Sequence, residues 1–524
     1  MEQTIDNNQP NKRIAAIDLG TNSFHAVIVD IYPDGSFRTV DKLKEMVILA
    51  EKGMENHLSE EAMDRGLEAL KRIRFLCDSQ QVEEILAYAT SAIREAENGG
   101  DFIQRSLYEA GVKVQVISGK MEAEMIGLAV RHSIAIGDEM VLMVDIGGGS
   151  VEFIVGNDKE FVYSKSLKLG VARMAARFVD ADPVSKENIK KLEQHFEKEL
   201  SAVSEIVKKH KVKTVIGSSG TMENIAAMIA GKNASDTMIS LNEYTYGAKA
   251  FQKFYKKFIQ LDKSKRLELK TLEEKRVDII NPGVILVKYL LDEFGIENVK
   301  ISEGALRDGM IIDFIKKEKG KYFSKLNIEF KDPRKRSIHE LLRKCNWLED
   351  HSRHVAKMAL QIFDEFKSEL KLNENDRELL EYSAFLHDIG YYISYSRHHK
   401  HALYIIKNSE LRGFTDDEVN IMANVARYHR NSTPKKRHKA YKSQSKPVRK
   451  RIKKLSAILR VADGLDRSHF QNVQKLEIDN QVEKVVFNIY TESDPELEVW
   501  GGMRKAKLLK KQLNKKIEIK AFPN

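Results

Sequence analysis

Cysteine is almost missing from this chain. Cys77 and Cys345 are the only two in 524 residues, and they stand far apart. They cannot form a disulfide framework, which argues against a small secreted scaffold. Long apolar runs are missing as well, and no stretch approaches the roughly 18 to 20 residues that a membrane span needs. The opening residues, MEQTIDNNQPNKR, are polar and contain no apolar core of the signal-peptide kind. A cytoplasmic protein with no membrane partner is therefore expected. The remainder is ordinary for a globular protein, with 42% apolar and 31% charged residues. Its length suggests about three or four domains.

Charge of one sign is in modest excess: 87 Lys and Arg stand against 77 Asp and Glu, a net +10. Much of the surplus lies in KKRHKAYKSQSKPVRKRIKK, residues 435–454. Such a run is either a solvated loop or a surface for a polyanion: nucleic acid, anionic lipid or a phosphate chain. Tyr441 is its only aromatic residue, too little for a base-stacking platform. Nucleic acid is accordingly the weaker choice of partner.

The most informative stretch is VLMVDIGGGSVEFIV, residues 141–155. Two apolar runs around a short glycine turn read as a hairpin. The third glycine suggests that the backbone itself approaches something. Bare N–H groups in such a turn make a concavity suited to phosphate, and the flanking Asp145 and Glu152 could hold Mg²⁺ against it. RIAAIDLGTNSFHAVIVDI, residues 13–31, repeats this pattern, with Asp18, Gly20 and Ser23 standing where Asp145, Gly147 and Ser150 stand. That repeat indicates a duplicated domain. Strand and helix patterns alternate between and after the copies, as in an α/β domain. Ser59, followed by Glu60 and Glu61, marks one helix start, and Asp101 is expected just before another. GSSGTMENIA, residues 217–226, follows a strand and opens a helix, a third place where N–H groups could meet an anion. From residue 335 to 470 helices dominate, and the last stretch returns to short strands.

Six motifs, AIDLGTNSFHAVI, ATSAIREA, VISGKMEAEMI, VDIGGGSVEF, GSSGT and ISEGALRDGMI, run in order across residues 16–311. Their wording and spacing resemble the exopolyphosphatase/guanosine pentaphosphate phosphatase (Ppx/GppA) family. The resemblance implies an α/β fold of two actin-like (ribonuclease-H-like) lobes facing each other across a phosphate-binding cleft. Lobe I would span 1–128 with a return helix at about 305–318, and lobe II would span 129–304. An all-α domain (319–472) and a small mixed α/β domain (473–524) would follow.

The same resemblance assigns roles. Glu122 takes the place of the carboxylate that activates the attacking water. Lys120 and Met121 precede it where the family commonly has acidic residues, so Glu122 is the only candidate in that triplet. Asp18, Asp145 and Glu152 match the acidic positions around Mg²⁺. Thr21, Asn22, Ser23, Gly147, Gly148, Gly149, Ser150, Gly220 and Thr221 would offer donors to phosphate, and Ser91 and Arg94 would line the path of the chain. The implied activity is Mg²⁺-assisted release of orthophosphate from the end of inorganic polyphosphate. Hydrolysis of guanosine pentaphosphate is the nearest alternative, and a non-catalytic polyphosphate or nucleotide sensor is another. A sugar-kinase or chaperone-type ATPase ranks lower. A homodimer is the expected assembly.

In the helical region His351, the His387–Asp388 pair and Asp463 match the H…HD…D pattern of HD-domain phosphohydrolases. His401 and His429 fall where two-metal versions of that domain add ligands. Imidazole and carboxylate together suit Mn²⁺, Fe²⁺, Zn²⁺ or Mg²⁺.

Overall fold

The computed structural model describes residues 10–33, 35–49, 57–231, 241–318 and 332–523. The first nine residues of the polar tail and the expected start of the helical domain at 319 lie outside them. The chain divides into two compact units, Met1–Pro333 and Arg334–Asn524. No helix among the described residues is long and apolar enough to cross a membrane.

The amino-terminal unit holds two sheets. The first has the order β3-β2-β1-β4-β5, built from β1 (Lys12–Leu19), β2 (Ser23–Ile31), β3 (Phe37–Met46), β4 (Glu84–Ala89) and β5 (Val114–Val116). The second uses β6 (Val141–Ile146), β7 (Val151–Gly156), β8 (Phe161–Leu167), β9 (Thr214–Ser218), β10 (Thr245–Gly247) and β11 (Asn298–Ile301), in the order β10-β11-β9-β6-β7-β8. Read from β8 inward, this is the first sheet again: an antiparallel meander whose first strand pairs in parallel with a later one. The repeat seen in the residues is thus a repeat of topology.

Strand parity decides where the carboxylates go, because successive side chains point to opposite faces. On β1, Ala15, Ile17 and Leu19 pack outward against the helices Glu60–Ser79 and Gly99–Ala110. Ile14 and Ala16 join an inner layer instead, and Asp18 continues their face. On β6, Leu142, Val144 and Ile146 face the outer core, while Val141 and Met143 enter the same inner layer and Asp145 continues it. The inner layer is filled by the helices Gly119–Ser133 and Leu306–Lys317, through Met125, Ile126, Val130, Met310 and Ile311. The two lobes expected as separate domains therefore share one buried layer. Ser59 does cap its helix, accepting from the Ala62 N–H. Asp101 lies inside Gly99–Ala110 instead of before it.

The carboxy-terminal unit is mostly helical: Glu349–Phe366, Glu374–Leu386, His398–Lys407, Asp416–Arg427 and Lys446–Gly464 form its centre. A three-stranded sheet, β12 (Val473–Asn480), β13 (Lys484–Thr491) and β14 (Lys516–Pro523), closes it. Val473, Phe487, Ile489 and Leu509 belong to the same core as Ile458, Leu459 and Phe363. The boundary expected at 472 thus separates two parts of one core. Most of the basic run 435–454 is helical, in Lys439–Lys442 and the first half of Lys446–Gly464. Pro447 stands in the first turn of the helix that begins at Lys446, Tyr441 is buried, and Arg451 pairs with Asp376 at 2.5 Å.

Candidate functional site

In the amino-terminal unit the expected residues gather where the inner ends of β1, β2, β6 and β7 meet the first turn of Gly119–Ser133. Ser118 caps that helix by accepting from the Met121 N–H, which sets Glu122 in the first turn. The positive end of the helix favours a carboxylate there. Glu122 is only 5% exposed and accepts from Arg94 Nη1 at 2.8 Å. Burial nonetheless outweighs that cation, and with Asp18 and Asp145 nearby the Glu122 carboxyl is pushed up to about 7. Arg94 is fixed by a second bond from the same nitrogen to the Ile117 carbonyl at 3.0 Å.

Asp145 and Glu152 stand directly opposite each other on β6 and β7. Ser218 donates to Asp145 at 2.6 Å, while Ser150 and Ser166 both donate to Glu152 Oε1 at 2.7 Å. Burial raises both carboxyls, Glu152 well above the ordinary range because Glu122 and Asp145 add to the effect. In lobe I the position opposite Asp18 is His25, which bonds Ser23 at 2.7 Å. Burial, with Arg307 and other cations around it, holds His25 down to about 3, so the ring is neutral. Burial pushes Asp18 up to about 6 although Arg307 lies 3.7 Å away.

The glycine loop is built as a cradle. None of Gly147, Gly148 and Gly149 has positive φ, so close approach is what requires them. The loop carbonyls point at the start of the helix Val171–Phe178: Val171 N–H donates to Gly147 O, and Ala172 N–H to Gly148 O, both at 3.0 Å. A Cβ on Gly170 would lie 2.4 Å from Gly148, and one on Gly148 would lie 2.9 Å from Asn22. Among the described residues the Gly148 and Gly149 amides have no acceptor within the protein. Such amides suit an anion. Thr21 and Ser91 hydroxyls meet at 3.2 Å on the other lobe. Thr221 lies under Arg276, whose guanidinium packs so closely on Gly220 that a Cβ there would fall 1.9 Å from Nη2.

Asp18, Asp145 and Glu152 form no compact ligand group of their own. The physical reason is that they come from two hairpins, and Asp145 and Glu152 already accept hydroxyl bonds. Sequence reasoning missed Ser218, Arg276 and Arg307, and also the pair Glu95–Arg173, joined at 2.8 Å. Ser218 lay inside a motif that was read only for its Gly220 and Thr221. Arg307 and Glu95 stand within the motifs ISEGALRDGMI and ATSAIREA but are not distinguished there, whereas Arg276 and Arg173 belong to none of the six motifs and give no local signal.

In the carboxy-terminal unit His351, His387, Asp388, His429 and Asp463 come together, all buried. His401 does not join them. His398, one turn earlier on the same helix, takes that place beside Asp388 and His429. His398 is 1% exposed, whereas His401 is half-buried, so depth in the bundle decides between two histidines on one helical face.

The Ppx/GppA phosphatase family matches residues 27–318, and its domain III matches residues 334–516. An exopolyphosphatase from Cytophaga hutchinsonii has a similar solved structure. It is 30% identical, with a TM-score of 0.55, over 58% of this chain and 98% of that one. The Aquifex aeolicus member of the Ppx/GppA family is 28% identical, with a TM-score of 0.52, over 59% of this chain and 98% of that one.

Proposed function

The chain belongs to the Ppx/GppA phosphatase family, and from that premise we propose that it is an exopolyphosphatase with Glu122 as its base. The carrying observation is the buried Glu122 carboxyl, raised to about 7 and tied to Arg94, beside a loop with two unpaired amides. A carboxyl poised near neutrality can take a proton from water at working pH. In the reaction the water oxygen attacks the terminal phosphorus, and the bridging P–O bond breaks. Orthophosphate and a chain shorter by one phosphate leave, and the water proton passes to Glu122. The glycine-loop amides, Arg94 and Arg276 hold the phosphate oxygens in line, which is the main requirement of phosphoryl transfer.

Mg²⁺ fits the donor set of Asp18, Asp145 and Glu152. It is commonly held by one or two carboxylates with water and substrate phosphate, so a closed protein cage is not required. When bound it would neutralise charge on the phosphate oxygens. The name of the Cytophaga hutchinsonii relative favours polyphosphate over guanosine pentaphosphate.

The test measures orthophosphate release from long polyphosphate and from guanosine pentaphosphate, each with Mg²⁺ and with Mn²⁺. Faster turnover of polyphosphate is expected, with Glu122→Gln retaining binding and losing turnover. Preference for guanosine pentaphosphate would overturn the substrate assignment, and undiminished turnover in Glu122→Gln would overturn the role of that residue.

A further inference from the structure

The second cluster calls for its own explanation, because none of its residues has a part in the hydrolysis proposed above. Its four buried histidines are locked into one tautomer by their outer nitrogens. Nδ1 of His387 donates to the Ala384 carbonyl and Nδ1 of His429 to the Ala426 carbonyl, both at 2.6 Å. Nδ1 of His398 donates to the Tyr395 carbonyl at 3.1 Å, and Nδ1 of His351 to Asp466 at 2.7 Å. A neutral ring carries one proton, so each Nε2 is left as a bare lone pair.

These lone pairs face one another. His351 Nε2 and His387 Nε2 are 3.2 Å apart, and His398 Nε2 and His429 Nε2 are 3.4 Å apart. With both protons on the outer nitrogens, neither pair holds a hydrogen bond. Arg430 Nη1 lies 3.2 Å from His398 Nε2 but also 3.4 Å from Nδ1 of the same ring. It therefore sits over the ring and leaves the in-plane lone pair free.

Asp388 stands between the two histidine pairs, only 6% exposed, and its Oδ1 accepts no hydrogen bond. Leaving a buried carboxylate oxygen unpaired is costly unless something else fills the place. Its two oxygens divide the cluster. Oδ2 lies 3.7 Å from His351 Nε2 and 3.4 Å from His387 Nε2, and Asp463 Oδ1 is 3.8 and 3.9 Å from the same two nitrogens. Oδ1 lies 3.1 Å from His398 Nε2 and 3.6 Å from His429 Nε2. Ligand bonds of about 2.0 to 2.2 Å place neighbouring ligand atoms roughly 3 to 3.6 Å apart, close to these separations. The other oxygen of Asp463 is engaged by Lys505, which turns Oδ1 toward the histidines. Outer partners of this kind are what fix metal ligands in place.

We propose that the carboxy-terminal unit holds a dinuclear site for first-row transition-metal cations, bridged by Asp388. One cation sits on His351, His387, Asp388 Oδ2 and Asp463, and the other on Asp388 Oδ1, His398 and His429. Imidazole-rich donors select Mn²⁺, Fe²⁺, Co²⁺ or Zn²⁺ over Mg²⁺. The site stands apart from the exopolyphosphatase reading and does not depend on it.

The full chain carrying Asp145→Asn, so that the phosphate-loop cleft contributes little metal, is stripped with chelator and reloaded with Mn²⁺. Elemental analysis is expected to find two ions per chain, and electron paramagnetic resonance a spin-coupled pair. Adding His398→Ala removes one ion and the coupling, whereas His401→Ala keeps both. No bound Mn²⁺, or a single uncoupled ion in the His398-intact protein, overturns the proposal. So does loss of an ion in His401→Ala with none lost in His398→Ala. The measurements on the His398-intact protein decide even if a histidine variant fails to fold.

Discussion

In the amino-terminal unit Glu122 lies buried and Asp18 half-buried with one arginine each, while in the carboxy-terminal unit Asp463 and Asp466 lie buried against Lys505 and His351. Burial pushes on all four carboxyls in the same direction, toward the neutral form. In the first unit it prevails, and Glu122 and Asp18 are held near neutrality. In the second, Lys505 and His351 more than offset it, and Asp463 and Asp466 stay below the ordinary carboxylate range. The difference teaches what each site lacks. The cleft is short of positive charge and suits a reaction in which a cation accompanies the substrate. The helical cluster already has its charge balance and is short of something to occupy its inward-facing lone pairs.

Opposite responses to isosteric neutralisation would break or sharpen this contrast. The largest effect is expected at Asp463→Asn, which strands the Lys505 ammonium in a mostly buried place. Removing one partner of a buried pair costs about 3 to 5 kcal/mol, and some exposure of Lys505 reduces that to roughly 2 to 3 kcal/mol. Thermal or urea unfolding in the presence of chelator at neutral pH measures it. A stabilised Asp463→Asn would erase the distinction between the units.

Glu152→Gln should act the other way. Its folded-state pKa lies above the unfolded one, so Glu152 subtracts stability progressively as pH rises past the usual carboxylate value. The variant keeps an oxygen for Ser150 and Ser166, and at pH 8 a gain of about 1 to 3 kcal/mol is expected. The gain should vanish near pH 4, where both states are protonated. A loss of stability at pH 8 would mean that the ionised form is the one the fold prefers.

Gly220→Ala is the smallest of these changes. The new methyl displaces the end of Arg276 and leaves the backbone of the loop in place. Weakening one charge-assisted contact costs roughly 1 kcal/mol. KM for polyphosphate is expected to rise a few-fold with kcat little changed. A collapse of kcat would give Arg276 a larger part than anchoring.

What could be read without coordinates follows the same division. The glycine loop, its copy around Asp18 and the helix start at Glu122 are local patterns, and strand parity alone sends Asp18 and Asp145 to one inner face. Arg276 reaches the cleft from a segment with no pattern of its own, and Arg307, although it stands within ISEGALRDGMI, is brought beside Asp18 only by tertiary packing. His398 and the expected His401 share one face of a helix, and only burial in the bundle, which no local pattern marks, separates them. At 472 helix gives way to strand without a change of core, since Val473 and Phe487 pack with Ile458, and that packing has no local signature.

The most direct test of Glu122 as the base is a single-turnover pH–rate profile for orthophosphate release from long polyphosphate. With the carboxyl as base, the rate should climb about tenfold per pH unit below its apparent pKa and level off above it. Arg94, Asp18, Asp145 and Glu152 surround the group and, with bound cation and substrate, set where that limb falls. Glu122→Gln is expected to be slower by about 10² to 10⁴ and to lack the limb. An unchanged limb and rate in Glu122→Gln would contradict the account.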